Sequence, residues 1–231
     1  MRDAVIVSVA RTAIGKAYRG AFNDTEAPVL GGVVVKAAVE RAKIDPKEVD
    51  DVIIGAAAQQ GTQAYNLGRL VAYTGGLPDN VPGMTLDRQC SSGLQSIAIA
   101  AKNIICGEQD IVVAGGLESI SLTQNKHKNS YRFVSEAVLA AQPAAYIQMI
   151  ESAEIVAERY NISRAQQDEY SLQSQQRTAA AQAAGKFNDE MVTFESTKQL
   201  FDKEGNSTEK QKVTLPTDEG NRADTTLESL S

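Results

Sequence analysis

The chain has 231 residues and is 42% hydrophobic, enough for one large core or for a domain with a smaller companion. A net charge of -6 with no basic stripe argues against a nucleic-acid binder, and two cysteines with one histidine provide neither a disulfide framework nor a zinc spacing. No segment approaches the roughly 20 apolar residues of a membrane span, and the N-terminus reaches Arg11 before any signal-length apolar run, so a cytoplasmic location with reduced thiols is expected.

The first half alternates strand and helix patterns. "AVIVSVA" (4–10) is a continuous apolar run, as in a strand buried on both faces. "APVLGGVVVKAAVERAKID" predicts a helix with Pro28 in its first turn and an apolar face of Leu30, Val33, Val34, Ala37 and Ala38; Pro46 blocks its continuation. "DVIIGAAA" (51–58) predicts a strand, "NLGRLVAYTGG" a short helix and "GMTLDR" a further strand. From Ser91 the period becomes helical, with Leu94, Ile97, Ala98, Ala101, Ile104 and Ile105 on one face and Gly107 as the stop. "DIVVAGG" (110–116) completes a βαβαβαβ order, which implies a parallel sheet with helices on its faces.

Beyond Leu117 the composition changes, and 117–231 is expected to be a mostly helical second domain after an α/β domain at 1–116. "TQNKHKNSYR" and "LAAQPAAYIQM" read as loops. "ESAEIVAERY" and "SRAQQDEYSLQSQQRTAAAQAAGKF" read as helices, the second opened by a Ser163–Gln166 capping box and ended at Gly185. "EMVTFE" and "KVTLP" are short strand candidates around a polar turn. At the end, "DTTLESLS" places Thr225 and Glu228 at capping-box spacing and stops after about one turn, too little for an isolated helix, so the chain is expected to be a piece of a longer one.

Cys90 falls between a strand end and the Ser91–Ser92–Gly93 helix start. An elbow of this kind lifts a side chain above the sheet edge and sets it before free helix N–H groups, which favour the thiolate, the reactive form. Small residues after it are expected to leave room for an acyl group. The alternative is a buried, inert thiol. Cys106, at the other end of the same helix, is expected to be structural, because the helix dipole there disfavours negative charge.

"DRQCSSGLQSI" followed by "VVAGGLESIS" resembles the thiolase family of acetyl-CoA acyltransferases, and "VSVARTAIGKAYRGAF", "YNLGR" and "DEGNRADTTLESL" extend the likeness over the whole chain. The resemblance implies an α/β thiolase fold, with a layered sheet domain at 1–116 and a mostly helical, CoA-binding loop domain at 117–231. The fifth strand and the second half of that fold, with its histidine and second cysteine, would be absent.

It further implies acyl transfer through a Cys90 thioester, with the Cys90 backbone N–H as an oxyanion donor. Coenzyme A and acyl-CoA would be substrates, with no bound cofactor or metal, and the assembly a homodimer or homotetramer. CoA contacts would come from Gln148 (where the family has His), Met149, Arg222 near the adenine phosphate and Ser229 near the pantetheine. Ile150 and Ile155 replace the family's Gly and Asn, which implies a differently shaped pocket. His127 is expected to lie outside the chemistry, and Lys126, Lys128 and Arg132 to form a solvated loop. Glu118–Ser119 is left between supporting the site floor and packing a strand end. Two other readings are a non-catalytic CoA-binding or assembly subunit and a ketoacyl synthase-type condensing enzyme.

Overall fold

The computed structural model describes residues 2–230. It separates into two compact units, residues 1–128 with 188–220 and residues 129–187 with 221–231. The division therefore does not fall at 116/117: residues 117–128 and the segment 188–220 belong with the first unit.

In the first unit, β1 (Asp51–Gly55) is the centre of a three-stranded parallel sheet, with β2 (Gly83–Leu86) on one side and β3 (Val112–Gly116) on the other. The register pairs Ile53 with both Met84 and Ala114. Side chains alternate across a strand, so Val52 and Ile54 face one way and Ile53 the other, and all three are buried. Val52 and Ile54 pack with α1 (Ala27–Ala42) and α2 (Leu67–Thr74) through Val35, Val39, Leu67 and Val71. The opposite face carries α3 (Ser92–Cys106).

Both long helices of this unit bury a different stripe from the one their apolar periodicity suggests. On α1 the buried residues are Ala27, Gly31, Gly32, Val35 and Val39, because the helix lies so close to α2 that a Cβ on Gly32 would stand 2.4 Å from Thr74 Oγ1. On α3 they are Ser92, Ser96 and Ala100, while Leu94 and Ile97 are exposed. Close approach selects small residues here, and Ser96 Oγ donates within reach of the Gly93 and Gly115 carbonyls at 2.6 and 2.7 Å.

The expected first strand does not form. Residues 4–10 carry no strand, and Val5, Ile6, Val7 and Val9 are 57–74% exposed. A strand buried on both faces needs a neighbour to pair with. Here the run and the outer edge of β3 both border a cleft of about 870 Å³, which Ile97, Ala101 and Ile104 of α3 and Val34 of α1 also line. The run is anchored at its ends: the Arg2 guanidinium binds Asp110 and the Gln109 carbonyl, and Arg11 pairs with Asp218 at 2.7 Å and Glu190 at 2.6 Å.

A short helix α4 (Ile120–Thr123) follows β3. In the second unit come α5 (Glu136–Ala141), which runs into the stretch at 139–149 expected to be loop, α6 (Met149–Arg159) and α7 (Arg164–Ala183). The Ser163–Gln166 capping box is formed, with Ser163 N–H to Gln166 Oε1 at 2.8 Å and Gln166 N–H to Ser163 Oγ at 3.3 Å. The strand pair of the first unit, β4 (Glu195–Phe201) and β5 (Ser207–Thr214), is antiparallel. The first of the two lies later than expected, with "EMVTFE" contributing only Glu195, and the second starts earlier, taking in half of the residues assigned to the turn, since backbone pairing tolerates their polar side chains on an exposed strand. The second unit closes with α8 (Leu227–Leu230), capped by Thr226 and Ser229 rather than Thr225 and Glu228. No described residue of 129–187 or 221–230 is buried.

Candidate active site at the cysteine elbow

Cys90 sits in a single 3₁₀ turn, Gln89–Ser91, between β2 and α3. The turn is held from both directions. Asp87 accepts the Gln89 N–H at 2.6 Å, and the Ser91 N–H donates to the Arg88 carbonyl at 3.1 Å. Ser92 Oγ accepts the Arg88 N–H at 2.9 Å and donates to the Gln89 carbonyl at 2.6 Å. Gln89 itself has φ 48°, in the left-handed region that residues with a side chain seldom adopt. The Cys90 side chain is exposed. The expected elbow is thus present, and the thiol is not buried in the core. Ser92 departs from expectation: it is 4% exposed and engaged in the turn, so it does not supply open space for an acyl group.

The close seat of α3 explains why the elbow stands where it does. A Cβ on Gly55 would lie 2.2 Å from the Ser92 carbonyl carbon, and one on Gly116 2.8 Å from Gly93 Cα. Side-chain-free ends on β1 and β3 let the first turn of the helix rest on the strand backbones.

Beside these strand ends lies a tie that the sequence reading left open. Glu118 accepts the Ala57 and Ala58 N–H groups at 3.0 and 3.2 Å and the Gln63 amide at 2.5 Å. Gln63, fully buried, also takes the Ser119 N–H on its Oε1 and gives Nε2 to the Ala58 carbonyl. The pair fastens the loop after β1 to the end of β3. No periodic or motif signal singles out Gln63.

Cys106 is the last residue of α3, exposed, before Gly107 at φ 82°. Fourteen steps of about 1.5 Å along α3 put it about 21 Å from Ser92, at the far end of the helix from the cysteine turn. His127 is exposed in a turn where its N–H donates to Asn125 Oδ1, and Lys126, Lys128 and Arg132 are exposed as expected.

The other four candidates belong to the second unit. Gln148 precedes α6, and its N–H donates to Glu151 Oε2 at 3.1 Å. Met149 and Ile150 are about 70% exposed. The Arg222 N–H and the Asn221 amide both bind Gln175 of α7, while the Arg222 guanidinium makes no ion pair among the described residues. Ser229 is committed locally, its hydroxyl donating to the Thr226 carbonyl at 2.8 Å and accepting the Thr226 N–H. No hydrogen bond joins the Gln148–Met149 pair to Arg222 or Ser229 among the described residues.

A coupled charge pair ties the loop at 11–21 to Asp218. Burial opposes ionisation of Asp218, but the Arg11 guanidinium and the Ile14 N–H outweigh it and hold the carboxyl below its ordinary value. Arg11 is raised in turn, chiefly by its hydrogen bond to Asp218. Next to it, Glu219 accepts the Lys16 and Ala21 N–H groups. Among the described residues no cluster of three His, Cys, Asp or Glu side chains could hold a metal, and no helix is long and apolar enough to cross a membrane.

The model of the thiolase N-terminal domain matches residues 4–231. The chain is similar to the 3-ketoacyl-CoA thiolase of Bacillus subtilis, 41% identical over 231 residues, covering all of this chain and 58% of that protein. It is 39% identical to the acetyl-CoA acetyltransferase of Cupriavidus necator, again over all of this chain and 58% of the relative. With the peroxisomal 3-ketoacyl-CoA thiolase B of Mus musculus it shares 37%, over 99% of this chain and 52% of that one. The chain spans just over half the length of these relatives.

Proposed function

Since the chain belongs to the thiolase family, matching its N-terminal domain, we propose that it carries the nucleophile of an acyl transfer to coenzyme A. The observation that supports this most directly is Cys90, exposed on a strand-to-helix elbow at the head of a 15-residue helix. In this reading the Cys90 thiolate attacks the 3-keto carbon of a 3-ketoacyl-CoA. The bond between that carbon and C2 breaks, and the electron pair passes to C2, which takes a proton and leaves as acetyl-CoA. The shortened acyl group remains on sulfur until the thiol of a second CoA accepts it. In the reverse direction two acetyl-CoA condense. The covalent intermediate divides one difficult step into two easier ones.

CoA is substrate here, and Gln148, Met149, Arg222 and Ser229 are the proposed contacts in the second unit. Of these the Arg222 guanidinium is best suited to a phosphate, whereas the Ser229 hydroxyl would have to leave its turn. A homodimer or homotetramer belongs to the same proposal. So does a cytoplasmic location, which rests on two unpaired cysteines, while the mouse relative's name carries the peroxisomal alternative.

Acylation and transfer to CoA each move a proton. Cleavage needs an acid that protonates C2 as the acyl group forms on sulfur, and its release needs a base for the thiol of the second CoA; positioned acid–base groups contribute about 10²–10⁴-fold to each. The one histidine is exposed in its own turn, and the second thiol lies at the far end of α3, about 21 Å along the helix from Ser92. We therefore expect the 231-residue chain to acquire an acetyl group on Cys90 from acetoacetyl-CoA only slowly, with solvent supplying the C2 proton, and to show no sustained thiolysis. Mass spectrometry of the adduct, with Cys90→Ser as control, is the test. Sustained turnover abolished by Cys90→Ser would show the chain to be catalytically complete. Binding of CoA with no adduct on Cys90 would favour a non-catalytic CoA-binding or assembly subunit.

A further inference from the structure

The turn that carries Cys90 is tied by Ser92 twice over: its backbone N–H donates to the Gln89 carbonyl, and its buried hydroxyl adds a second bond to the same oxygen. Ser92 Oγ bridges two backbone groups that directly precede the cysteine, accepting the Arg88 N–H at 2.9 Å and donating to the Gln89 carbonyl at 2.6 Å. Between them Gln89 is held at φ 48°. Ser92 in turn cannot shift toward the sheet, because its backbone rests against Gly55 and its neighbour Gly93 against Gly116. The Gln89 carbonyl and the Cys90 N–H belong to a single peptide plane. That plane is trans, so the two groups point in opposite directions. Fixing the carbonyl on a residue that is 4% exposed turns the Cys90 N–H away from Ser92.

We propose that Ser92 is a positioning residue: its hydroxyl, added to its own backbone N–H on the Gln89 carbonyl and bridging to the Arg88 N–H, completes the lock on the Gln89–Cys90 peptide so that the Cys90 N–H is aimed at the oxygen of an acyl group under attack by Sγ. The proposal rests on the reading of Cys90 as nucleophile. It assigns Ser92 a task different from that of Asp87 and Ser91, whose bonds close the turn without touching this peptide's carbonyl.

The two reactions of a thiolate separate this role from simple support of the fold. Acetylation by p-nitrophenyl acetate passes through a tetrahedral oxyanion and releases p-nitrophenolate, so it needs the N–H. Alkylation by iodoacetamide displaces iodide at a saturated carbon and develops no oxyanion. Both are read on the 231-residue chain by peptide mapping, with Cys106 as internal reference. Loss of one oxyanion donor costs about 10²–10³-fold, and a misdirected one somewhat less. Ser92→Ala is expected to slow acetylation of Cys90 by about tenfold or more while changing its alkylation by less than about twofold. Equal loss of both reactions, or loss of neither, overturns the proposal.

If circular dichroism shows Ser92→Ala unfolded, the double variant Gln89→Gly/Ser92→Ala decides, because glycine adopts the left-handed turn without the bridge. Selective loss of acetylation there supports the proposal, whereas parental acetylation, or a chain that still does not fold, overturns it. A parent chain that acetylates Cys90 no faster than Cys106 overturns the nucleophile reading and this proposal with it. A preference for Cys90 that Ser92→Ala leaves intact overturns this proposal alone.

Discussion

Asp218 shows how a single side chain ties together segments more than 200 positions apart. Its carboxylate takes the Arg11 guanidinium and the Ile14 N–H, with only 17% of the side chain exposed. Because its folded pKa is depressed, its contribution to stability is complete above the unfolded carboxylate value of about 4 and is lost as pH falls through the lower folded value. Asp218→Asn should cost about 1.5–3 kcal/mol at pH 7, the range for hydrogen bonds to charged groups. Urea titrations at pH 7 and at about pH 3 should show the gap between parent and variant narrowing in acid. A gap independent of pH would assign the loss to shape instead of charge. Arg222 poses the opposite case, a guanidinium without an ion pair among the described residues. Arg222→Ala should weaken CoA binding to this chain by about tenfold, roughly 1.4 kcal/mol, and leave alkylation of Cys90 unchanged, as calorimetry and peptide mapping would show. Unaltered affinity would remove Arg222 from the proposed phosphate contact.

At the scale of elements, local chemistry was legible in the sequence and depth of packing was not. The Ser163–Gln166 box, the Asn66 start of α2 and the Gly107 stop of α3 are local devices and stand where the residues place them. The buried stripes of α1 and α3 are set by their distance from a neighbour. Small residues face inward where backbones nearly touch, and a count of apolar positions selects the wrong side. For the same reason Ser92 drew notice as a small residue, while its hydroxyl bridge depends on a turn that only the fold supplies. The polar strand β5 carried no alternation to mark it. The helices α6 and α7 are well capped yet bury no residue. Caps fix where a helix starts, whereas protection from opening comes from burial. Amide exchange should therefore be fast across 149–183 and slow in β1, whose residues 52–55 are buried. Comparable protection in both would mean that the second unit draws stability from something other than a core of its own.

On the scale of the whole molecule, the buried side chains gather around β1 in one unit, and the second exposes Tyr131, Phe133, Met149, Ile150, Tyr160 and Tyr170. The most consequential exposure, however, is in the first unit. Val5, Ile6, Val7 and Val9 stand open beside an apolar cleft, and the β3 edge across it has no strand on its outer side among the described residues. Strand edges with unused N–H and C=O groups next to uncharged, β-branched runs are the surfaces on which protein chains stick to one another. Light scattering from the purified chain should rise with concentration, and Val7→Lys should suppress that rise while leaving far-ultraviolet dichroism unchanged; scattering indifferent to both would mean the run is harmless. In a crowded cell the same stretch sets up a race. Each newly made copy must have its open edge covered before it meets another copy, and the outcome decides between a usable protein and an insoluble deposit.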